Sequence, residues 1–377
     1  MRQGDTMTGK ERIEKAFLHI EPDRVPVWEM AFNEQSILNI GALFTDDLPP
    51  AKPVHDMTPE ERLKLLGLLF TLIEELELDG FPSLLLLASE SAGAGYVRDA
   101  WGCTFQLSEV GESVIKGGPV SSPDDLDSFS AYRPRESDFI MLVAAKERFG
   151  DDLAQILVHP GPFQLSRNLT GGMEKFFPYI RRNPGFVHEI MKMTTDYALA
   201  SLDMGISLGA DIICLDGDFA YNKSTFISPD HYDEFVLPYH RTIIEFVHSH
   251  GKFIFKHSDG NMWPIMDRLV EVGFNGFHSI QPQCMDIGKV KARFGDRLCL
   301  LGNIDCSYLL PFGSESDVET AVRDTIAVAA PGGGYILCSD NTIHPGCKAE
   351  NYLTMVKAAH MYGNYPIASG GEVKAHA

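Results

Sequence analysis

The 377-residue chain is poor in basic residues and lacks several familiar binding motifs. It has 32 Lys and Arg against 52 Asp and Glu, so its formal net charge at pH 7 is −20. Because a phosphate backbone is bound by clustered positive charge, this composition argues against a nucleic-acid partner. No CxxC motif, Walker loop or GxGxxG fingerprint occurs. Zinc-ribbon, P-loop and dinucleotide sites therefore lack their usual sequence support.

Long apolar segments are absent as well. No apolar run approaches the ~20 residues of a membrane-spanning helix, and the first ten residues contain no apolar core of a signal peptide. The seven cysteines are odd in number and follow no pairing rhythm, which favours reduced thiols. We therefore expect a cytoplasmic protein without a membrane partner. The oligomeric state does not follow from the sequence.

What the chain does contain is an alternation of strand-like and helix-like segments. Short apolar runs predict strands at residues 25–28, 83–88, 155–159, 211–216, 253–257, 275–279, 298–302 and 334–338. Helical patterns are predicted at residues 186–208, 229–250, 286–294, 315–329 and 350–362. Eight strands that alternate with helices favour an α/β fold, the (β/α)8 TIM barrel. A doubly wound open sheet is the alternative, because strand order is not visible in a sequence.

The N-terminal half carries additional material. Segments 41–58 and 98–135 are loop-like and rich in Pro, Asp and Ser, and they are predicted to be insertions that could cover the mouth of a barrel. No linker divides the chain. Residues 1–377 are therefore predicted to form a single domain.

Polar residues follow these strands, at the end where a barrel places its active site. The most informative stretch is the apolar run that ends in His257 and Asp259, whose side chains project to the same side of an extended backbone. A turn made by Asp259 and Gly260 is the alternative interpretation. The polar residues at the predicted strand ends are Glu29, Asp216, Asp218, His257, Asp259, His278, Asp305, Cys306, Asp340, Asn341 and His344.

Imidazole, carboxylate and thiolate groups together suit Zn²⁺, and an open fourth position makes such a metal catalytic. The candidate metal ligands are His257, Asp259, His278 and Cys306. Structural alternatives exist, since Cys306 could be a small buried apolar group. Further alternatives are that Glu29 pairs with an arginine and that Asp305 caps the following turn. Cys338 is predicted to face the outer helices, because it lies an odd number of positions from Asn341, and Trp28 is placed to contact a substrate.

Taken together and in this order, several short motifs resemble the uroporphyrinogen decarboxylase superfamily over about residues 9–366. The matching segments are Lys10-Glu11-Arg12, Asp23-Arg24-Val25-Pro26-Val27-Trp28, Arg98-Asp99-Ala100-Trp101-Gly102, Gly161-Pro162-Phe163, Ile227-Ser228-Pro229, His257-Ser258-Asp259-Gly260-Asn261, Gly302-Asn303-Ile304-Asp305 and Pro331-Gly332-Gly333-Gly334-Tyr335-Ile336-Leu337. The resemblance implies a (β/α)8 barrel. It also implies one of two chemistries, cofactor-free decarboxylation of a porphyrinogen or corrinoid-dependent methyl transfer.

The decarboxylase branch carries an Arg-Gln-Ala-Gly-Arg segment after the first strand, which clamps substrate carboxylates. Here the same place reads Glu29-Met30-Ala31-Phe32-Asn33, so the bidentate recognition that arginine supplies is missing. The family's tyrosine falls on Asn168 and its histidine near the last strand on Asn341. Porphyrinogen decarboxylation is therefore not expected.

The methyltransferase branch binds zinc through a His-x-Cys pair and a second cysteine after the last strand. This chain keeps His257 but has Asp259 and Asn341 at the other two positions, which makes the site harder and less thiophilic. The resemblance thus favours an oxygen-linked methyl donor. A metal-free pocket in which His257 and Asp259 transfer protons is the alternative.

The sequence predicts a methyltransferase that moves a methyl group from a small methylated substrate to a corrinoid held by a partner protein. A methoxy compound is the favoured substrate, and zinc is the candidate metal. The alternatives are a metal-free lyase acting on a non-porphyrin acid and a non-catalytic barrel that binds a corrinoid or methylated ligand. The predicted catalytic residues are His257, Asp259 and Asp305. The predicted substrate-binding residues are Trp28, Glu29, Asn168, Asp218, Asn341 and His344.

Overall fold

The centre of the molecule is a seven-stranded parallel β-sheet. A computed structural model describes residues 7–107 and 113–367. Along the sheet the strands lie in the order β1-β6-β7-β8-β9-β10-β11. Their bounds are β1 Gly80–Leu84, β6 Ala154–Pro160, β7 Ile212–Asp216, β8 Phe253–Ser258, β9 Gly276–Ser279, β10 Cys299–Leu301 and β11 Tyr335–Ile336.

Helices connect these strands and cover the sheet. Their bounds are α1 Gly9–Phe17, α2 Glu34–Gly41, α3 Pro59–Glu75, α4 Pro123–Ser128, α5 Ile140–Phe149, α6 Pro162–Leu169, α7 Met173–Arg182, α8 Pro184–Ser207, α9 Pro229–Phe235, α10 Leu237–Ser249, α11 Met266–Val272, α12 Ile287–Phe294, α13 Leu309–Phe312, α14 Glu315–Ala329 and α15 Ala349–Tyr362. Within the described ranges, no helix is both long enough and apolar enough to cross a membrane.

Alternate residues of the strands pack into two separate apolar clusters, as the period of two in a β-strand requires. One cluster contains Ile156, Cys214, Phe255 and other residues of the same parity. Among the helices that the structure describes, only α1 contributes to it. We call this side the inner face. The opposite, outer face packs against the other helices that bury apolar residues. On α1, Phe17 stacks on the first residue of β8 at a centroid distance of 5.2 Å, so α1 covers the amino ends of the strands. The carboxyl ends are left for a site.

The segment 25–28 lies between the two edge strands, although it is not itself assigned as a strand. Val27 forms a parallel bridge with Leu337, just beyond β11. On the other side, the Val27 carbonyl accepts a hydrogen bond of 2.8 Å from the backbone N–H of Asp79, the residue before β1. The predicted strand at this place therefore has backbone partners on both sides.

A buried ion network holds this junction together. The Asp79 side chain is 1% exposed and forms ion pairs with Arg12 at 3.1 Å and Arg24 at 2.7 Å. It also accepts the Val27 N–H at 2.7 Å. One carboxylate thus ties α1, the segment 25–28 and the start of β1 to each other.

Six of the eight predicted strands match observed strands to within two residues at each end. The prediction 83–88 is displaced, because the strand begins at Gly80, and beyond Leu84 the backbone turns to Asp138, whose carbonyl bonds the Leu86 N–H. The predicted helix 229–250 is divided at Val236, where Leu237-Pro238 opens a new helix. Proline is tolerated in a first turn but disrupts a continuous helix.

The prediction of a loop at 98–135 is wrong in large part. A four-stranded antiparallel sheet occupies most of 89–117, and its strands are β2 Ser89–Ser91, β3 Tyr96–Asp99, β4 Thr104–Leu107 and β5 Ser113–Gly117. These strands are short and partly exposed, so they lack the apolar runs by which buried strands are recognised in a sequence. The Pro, Asp and Ser residues around them indicated a loop instead. Residues 108–112 lie outside the described ranges.

Cys338 was predicted to face the outer helices, and this is wrong. It belongs to the inner cluster with Ile336 and Trp28. The alternation cannot be extended from Cys338 to Asn341, because the last strand ends at Ile336 and the backbone beyond it is irregular.

We expect Asp79→Ala to lower the free energy of unfolding by about 3–5 kcal/mol, because buried Arg24 loses its ion-pair partner and Arg12 keeps only Asp23. Denaturant unfolding of the purified variant measures this. The control is Asp151→Ala, which removes a largely exposed carboxylate that also pairs with two lysines. Exposed pairs contribute little, so equal losses in the two variants would contradict the proposed role of Asp79.

Candidate active site

Two histidines on neighbouring strands form the centre of the candidate site. The parallel ladder between β8 and β9 pairs His257 with His278, both on the inner face. Their Nδ1 atoms are 2.6 Å apart and their ring centroids 4.8 Å apart. Both side chains are almost completely buried. Strand register alone therefore places the two imidazoles in hydrogen-bond contact.

The hydrogen-bond network defines which nitrogen carries a proton. His278 Nε2 lies 3.1 Å from the carbonyl oxygen of Ser339 and must donate to it. In a neutral ring the His278 Nδ1 is then an acceptor, so His257 Nδ1 donates to it. Burial and the neighbouring His257 lower the pKa of His278 well below its usual value, which keeps this ring neutral. The remaining nitrogen of His257, Nε2, therefore faces the site.

Three carboxylates surround this nitrogen. His257 Nε2 lies 3.8 Å from Asp216, 4.0 Å from Asp218 and 3.9 Å from Asp259, each measured to Oδ1. These separations are too long for hydrogen bonds. The side chains of Asp216, Asp218 and Asp259 are 25%, 44% and 28% exposed, so a small ligand can reach them. His257 Nε2 and three carboxylate oxygens thus converge on one point.

Backbone contacts hold the carboxylates in this arrangement. Asp218 Oδ1 accepts the N–H of Asp259 at 2.9 Å, and Asp216 Oδ1 accepts the N–H of Gly217 at 2.7 Å. Asn341 donates its amide N–H to Oδ2 of Asp259. Asp259 Oδ1 is buried and has no hydrogen-bond partner. One oxygen of this carboxylate is therefore fixed and the other is available.

Lys256 supports the site from the outer face. Its fully buried Nζ donates to the carbonyls of Leu215 at 3.0 Å, Gly217 at 2.6 Å and His257 at 2.5 Å. These bonds connect the turn after β7 to β8. Lys256 is thus a positioning residue that sets the distance between Asp216 and His257.

The environment of Asp259 makes this carboxyl easier to protonate than an ordinary aspartate. Burial raises its pKa to about 6, and Asp218 acts in the same direction. His257 acts in the opposite direction. A cation at the point where His257 Nε2 and the carboxylate oxygens converge would reverse this balance.

Asp218, His257 and Asp259 fit a divalent cation. One ligand atom of each lies within 4.8 Å of the others, and within the described ranges no other cluster of His, Cys, Asp and Glu meets this condition. The second nitrogen of His257 is engaged in a hydrogen bond, as is usual for a metal-ligating histidine. The donor set is one nitrogen and carboxylate oxygens, which suits zinc or a harder divalent ion.

The structure does not bring His278 and Cys306 into this set. Both ring nitrogens of His278 are already bonded, to His257 and to Ser339. The Cys306 side chain is buried in the outer apolar cluster. Burial, with Asp340 nearby, raises the pKa of its thiol, so it stays protonated. Of the four candidate ligands, His257 and Asp259 come together, and Asp218 joins them.

Glu29 and Trp28 are buried instead of lining the mouth of the site. Neither residue has any exposed surface. The Glu29 carboxylate accepts the Ser339 hydroxyl at 2.6 Å and the Ser339 N–H at 3.2 Å, which links the segment 25–28 to the chain after β11. The Trp28 ring packs edge-on against Phe255 and His278. This geometry favours support of the site over direct substrate contact.

Three further predicted residues lie near the rim with local partners. The Asp305 carboxylate accepts the N–H groups of Ser307 and Tyr308, so it caps its own turn. His344 donates from Nε2 to the Cys306 carbonyl at 2.8 Å. Asn168 is half-buried on α6. None of the three belongs to the carboxylate–histidine cluster.

Arg167 is a residue that the sequence analysis missed. It follows β6 on α6, is 6% exposed, and lies close enough to Asp216 and Asp218 to be affected by their charge. The sequence contained a feature that could have identified it: Arg167 is a basic residue shortly after a predicted strand, next to Asn168, which was already a candidate. It was overlooked because the carboxylate clamp was sought only after the first strand.

The uroporphyrinogen decarboxylase (URO-D) family model matches residues 96–362. The chain belongs to this family. It is 24% identical over 279 residues to a uroporphyrinogen decarboxylase of Methylococcus capsulatus, which covers 71% of this chain and 76% of that protein.

Methyltransferases are among the similar proteins. The chain is 25% identical over 221 residues to a methylcobamide:CoM methyltransferase of Methanosarcina barkeri, covering 58% of this chain and 61% of that protein. A solved methyltransferase structure from Methanosarcina mazei superposes with a TM-score of 0.72, at 20% identity, covering 94% of this chain and 99% of that one. At this identity the structural match establishes the fold alone.

We expect Glu29→Gln to flatten the pH dependence of stability. Burial raises the pKa of Glu29 to about 8, from an ordinary value of 4.5. The folded protein therefore holds this proton more tightly than the unfolded chain, and stability is lost as the pH rises from about 4.5 to 8. Glutamine removes this titration, so at pH 8 the variant should be more stable than wild type by about 1–3 kcal/mol.

Denaturant unfolding at pH 5, 6.5 and 8 measures the effect, with the exposed Glu271→Gln as control. If Glu29→Gln and wild type lose stability in parallel between pH 5 and 8, Glu29 is not the buried acid described above.

Proposed function

We propose that this chain is a methyltransferase that moves a methyl group from a small methylated compound to a corrinoid carried by a partner protein. An oxygen-linked methyl group is the favoured donor. The observation that supports this proposal most directly is the convergence of Asp218, His257 and Asp259 within 4.8 Å. These three side chains can hold a metal ion that activates the heteroatom of a leaving group. Transfer of a methyl group from oxygen requires such activation.

A divalent cation, with zinc as the candidate, would be held by His257 Nε2 and by oxygens of Asp218 and Asp259. When bound, such a cation acts as a Lewis acid on a substrate oxygen. The chain's own residues supply the rest. His278, itself bonded to the Ser339 carbonyl, engages Nδ1 of His257, which leaves Nε2 directed at the site. Asn341 fixes Asp259, and Lys256 holds the turn that carries Asp216.

Substrate alignment is the second contribution expected from these residues. Asp216 lies 3.8 Å from His257 Nε2 and is a quarter exposed, so it can accept a hydrogen bond from a bound donor. Alignment of the methyl group with its acceptor makes the displacement effectively unimolecular. Rigid backbone support for each carboxylate suits this role, because small displacements of reacting groups lower the rate strongly.

Porphyrinogen decarboxylation fits this site poorly. The position of the family's arginine clamp is occupied by Glu29, which is fully buried and bonded to Ser339. It therefore offers no positive charge to the acetate arms of a porphyrinogen.

We also infer that the sheet closes into the predicted (β/α)8 barrel. The segment 25–28 would take the eighth position, since Val27 has backbone partners beside both edge strands. The antiparallel sheet β2–β5 would then be one of the predicted N-terminal-half insertions within a single domain. Its position between β1 and β6 in the chain supports this view.

We expect His257→Ala, Asp218→Ala and Asp259→Ala each to weaken zinc binding at least about 10-fold, because a three-ligand site loses one ligand. Competition with a chromophoric chelator measures the affinity. Cys306→Ala is the matched control and should bind zinc like wild type, since its buried thiol lies outside the cluster. A loss of affinity in Cys306→Ala, with full affinity in Asp218→Ala, would contradict the proposed ligand set.

Methyl transfer is tested with free cob(I)alamin as acceptor and a series of methoxylated compounds as donors. Formation of methylcobalamin, followed by absorbance, should fall about 100-fold or more in His257→Ala.

Uroporphyrinogen should not be consumed. Coproporphyrinogen formation above the rate of Asp218→Ala would contradict this reading, and turnover in zinc-free protein would favour His257 and Asp259 as a proton-transfer pair.

A further inference from the structure

Arg167 is an unsatisfied cation beside the candidate active site. Its side chain is buried, and its Nε and Nη1 atoms have no hydrogen-bond partner. The other buried arginines behave differently, because Arg12 and Arg24 both form ion pairs with Asp79. The chain thus pairs its buried arginines elsewhere and leaves this one open.

Aromatic rings hold the guanidinium in position. Its central carbon lies 4.9 Å from the ring centroid of Phe163 and 5.9 Å from that of Phe226. Phe163 in turn stacks on Phe219, directly after Asp218, at a centroid distance of 4.7 Å. Contacts with ring faces orient a guanidinium and stabilise its charge in part. They leave its N–H donors unused.

The neighbouring carboxylates do not satisfy these donors. Asp216 and Asp218 attract the guanidinium, but neither forms an ion pair with it. Oδ1 of Asp216 accepts the N–H of Gly217, and Oδ1 of Asp218 accepts the N–H of Asp259. Burial lowers the pKa of Arg167, and the two carboxylates act in the opposite direction. The carboxylates keep the guanidinium charged, and it still lacks a direct partner.

A buried charge without a partner opposes folding unless something binds it. A guanidinium whose N–H groups are free is well suited to a planar carboxylate, which accepts two parallel hydrogen bonds. The clamp expected after the first strand is absent in this chain, and Arg167 provides a single cation at another strand end of the same sheet. An acid bound to Arg167 would lie beside Asp216 and Asp218.

Building on the proposed function, we propose that Arg167 binds a carboxylate of the methyl donor, so that the substrate class is small methoxylated acids. The acid end pairs with the guanidinium, and the ether oxygen lies towards Asp218, His257 and Asp259. A cation at those residues offsets the repulsion between their carboxylates and the acid. Neutral methyl compounds would leave Arg167 unpaired.

The first test measures stability without any ligand. We expect Arg167→Met to raise the denaturant midpoint of the full-length protein, because it removes a buried charge that has no partner. Arg268→Met is the matched control, since Arg268 is paired with Asp233 at 2.5 Å, and it should not raise the midpoint. A lower midpoint for Arg167→Met would show that Arg167 is a structural residue and overturn the proposal.

The second test measures binding to the zinc-supplemented protein by calorimetry. The probes are two matched pairs, 4-methoxybenzoate with 4-methoxybenzamide, and methoxyacetate with methoxyacetamide. We expect one acid at least to bind about 10-fold or more tighter than its amide, and Arg167→Met to abolish that difference. Arg167→Lys should retain part of it, because the charge remains while the bidentate geometry is lost. Equal binding of both acids and their amides by wild type would overturn the proposal.

The two proposals fail separately. If Arg167→Met loses acid binding and wild type transfers no methyl group from any bound acid, the carboxylate site stands and methyl transfer fails. If neutral methoxy compounds are demethylated equally by wild type and Arg167→Met, methyl transfer stands and the proposed substrate class fails.

Discussion

The register between β8 and β9 is the constraint on which the candidate site depends. It places His257 opposite His278, and the contact between their Nδ1 atoms transmits the orientation of the Ser339 carbonyl to the free nitrogen of His257. A shift of either strand by one residue would send its imidazole to the outer face. Hydrogen bonds of the sheet, more than any side-chain packing, therefore determine which nitrogen meets a ligand.

The carboxylates explain why this orientation has a chemical consequence. An unprotonated Nε2 and three carboxylate oxygens within 4.0 Å of it are all electron-rich, so together they disfavour an empty neutral site. A metal ion or a proton on His257 relieves the repulsion. The support from Lys256 and Asn341 keeps the groups from moving apart. Such preorganised but unsatisfied charge is typical of sites selected for function over stability.

The sequence predicted the elements of this structure better than their contacts. The alternation of apolar strand-like runs with helical patterns predicted the parallel strands. The period of two within a strand predicted that His257 and Asp259 project to the same side. Asp218 was assigned to substrate and Cys306 to the metal, since the length of each loop past its strand decides which side chains reach the centre. The displaced strand at Gly80 and the inner position of Cys338 were missed for a related reason, because irregular backbone at strand ends does not continue the alternation. Glu29 could not be recognised as buried without knowing that Ser339 lies beside it.

The site combines two charge imbalances of opposite sign. Asp216, Asp218 and Asp259 bring three carboxylates together, whereas Arg167 is a buried guanidinium whose Nε and Nη1 have no hydrogen-bond partner. The two groups are linked through Phe163, which packs against Arg167 and stacks on Phe219 beside Asp218. An ion pair between Arg167 and the aspartates would neutralise both charges. Instead, backbone N–H groups bond Asp216 and Asp218, and aromatic rings pack against Arg167. If Arg167 or the aspartates served only to stabilise the fold, we would expect them to form an ion pair with each other. A ligand with an electron-rich oxygen for a bound cation and a carboxylate for Arg167 resolves both imbalances at once, which is the physical reason for linking the two halves of the site to one substrate.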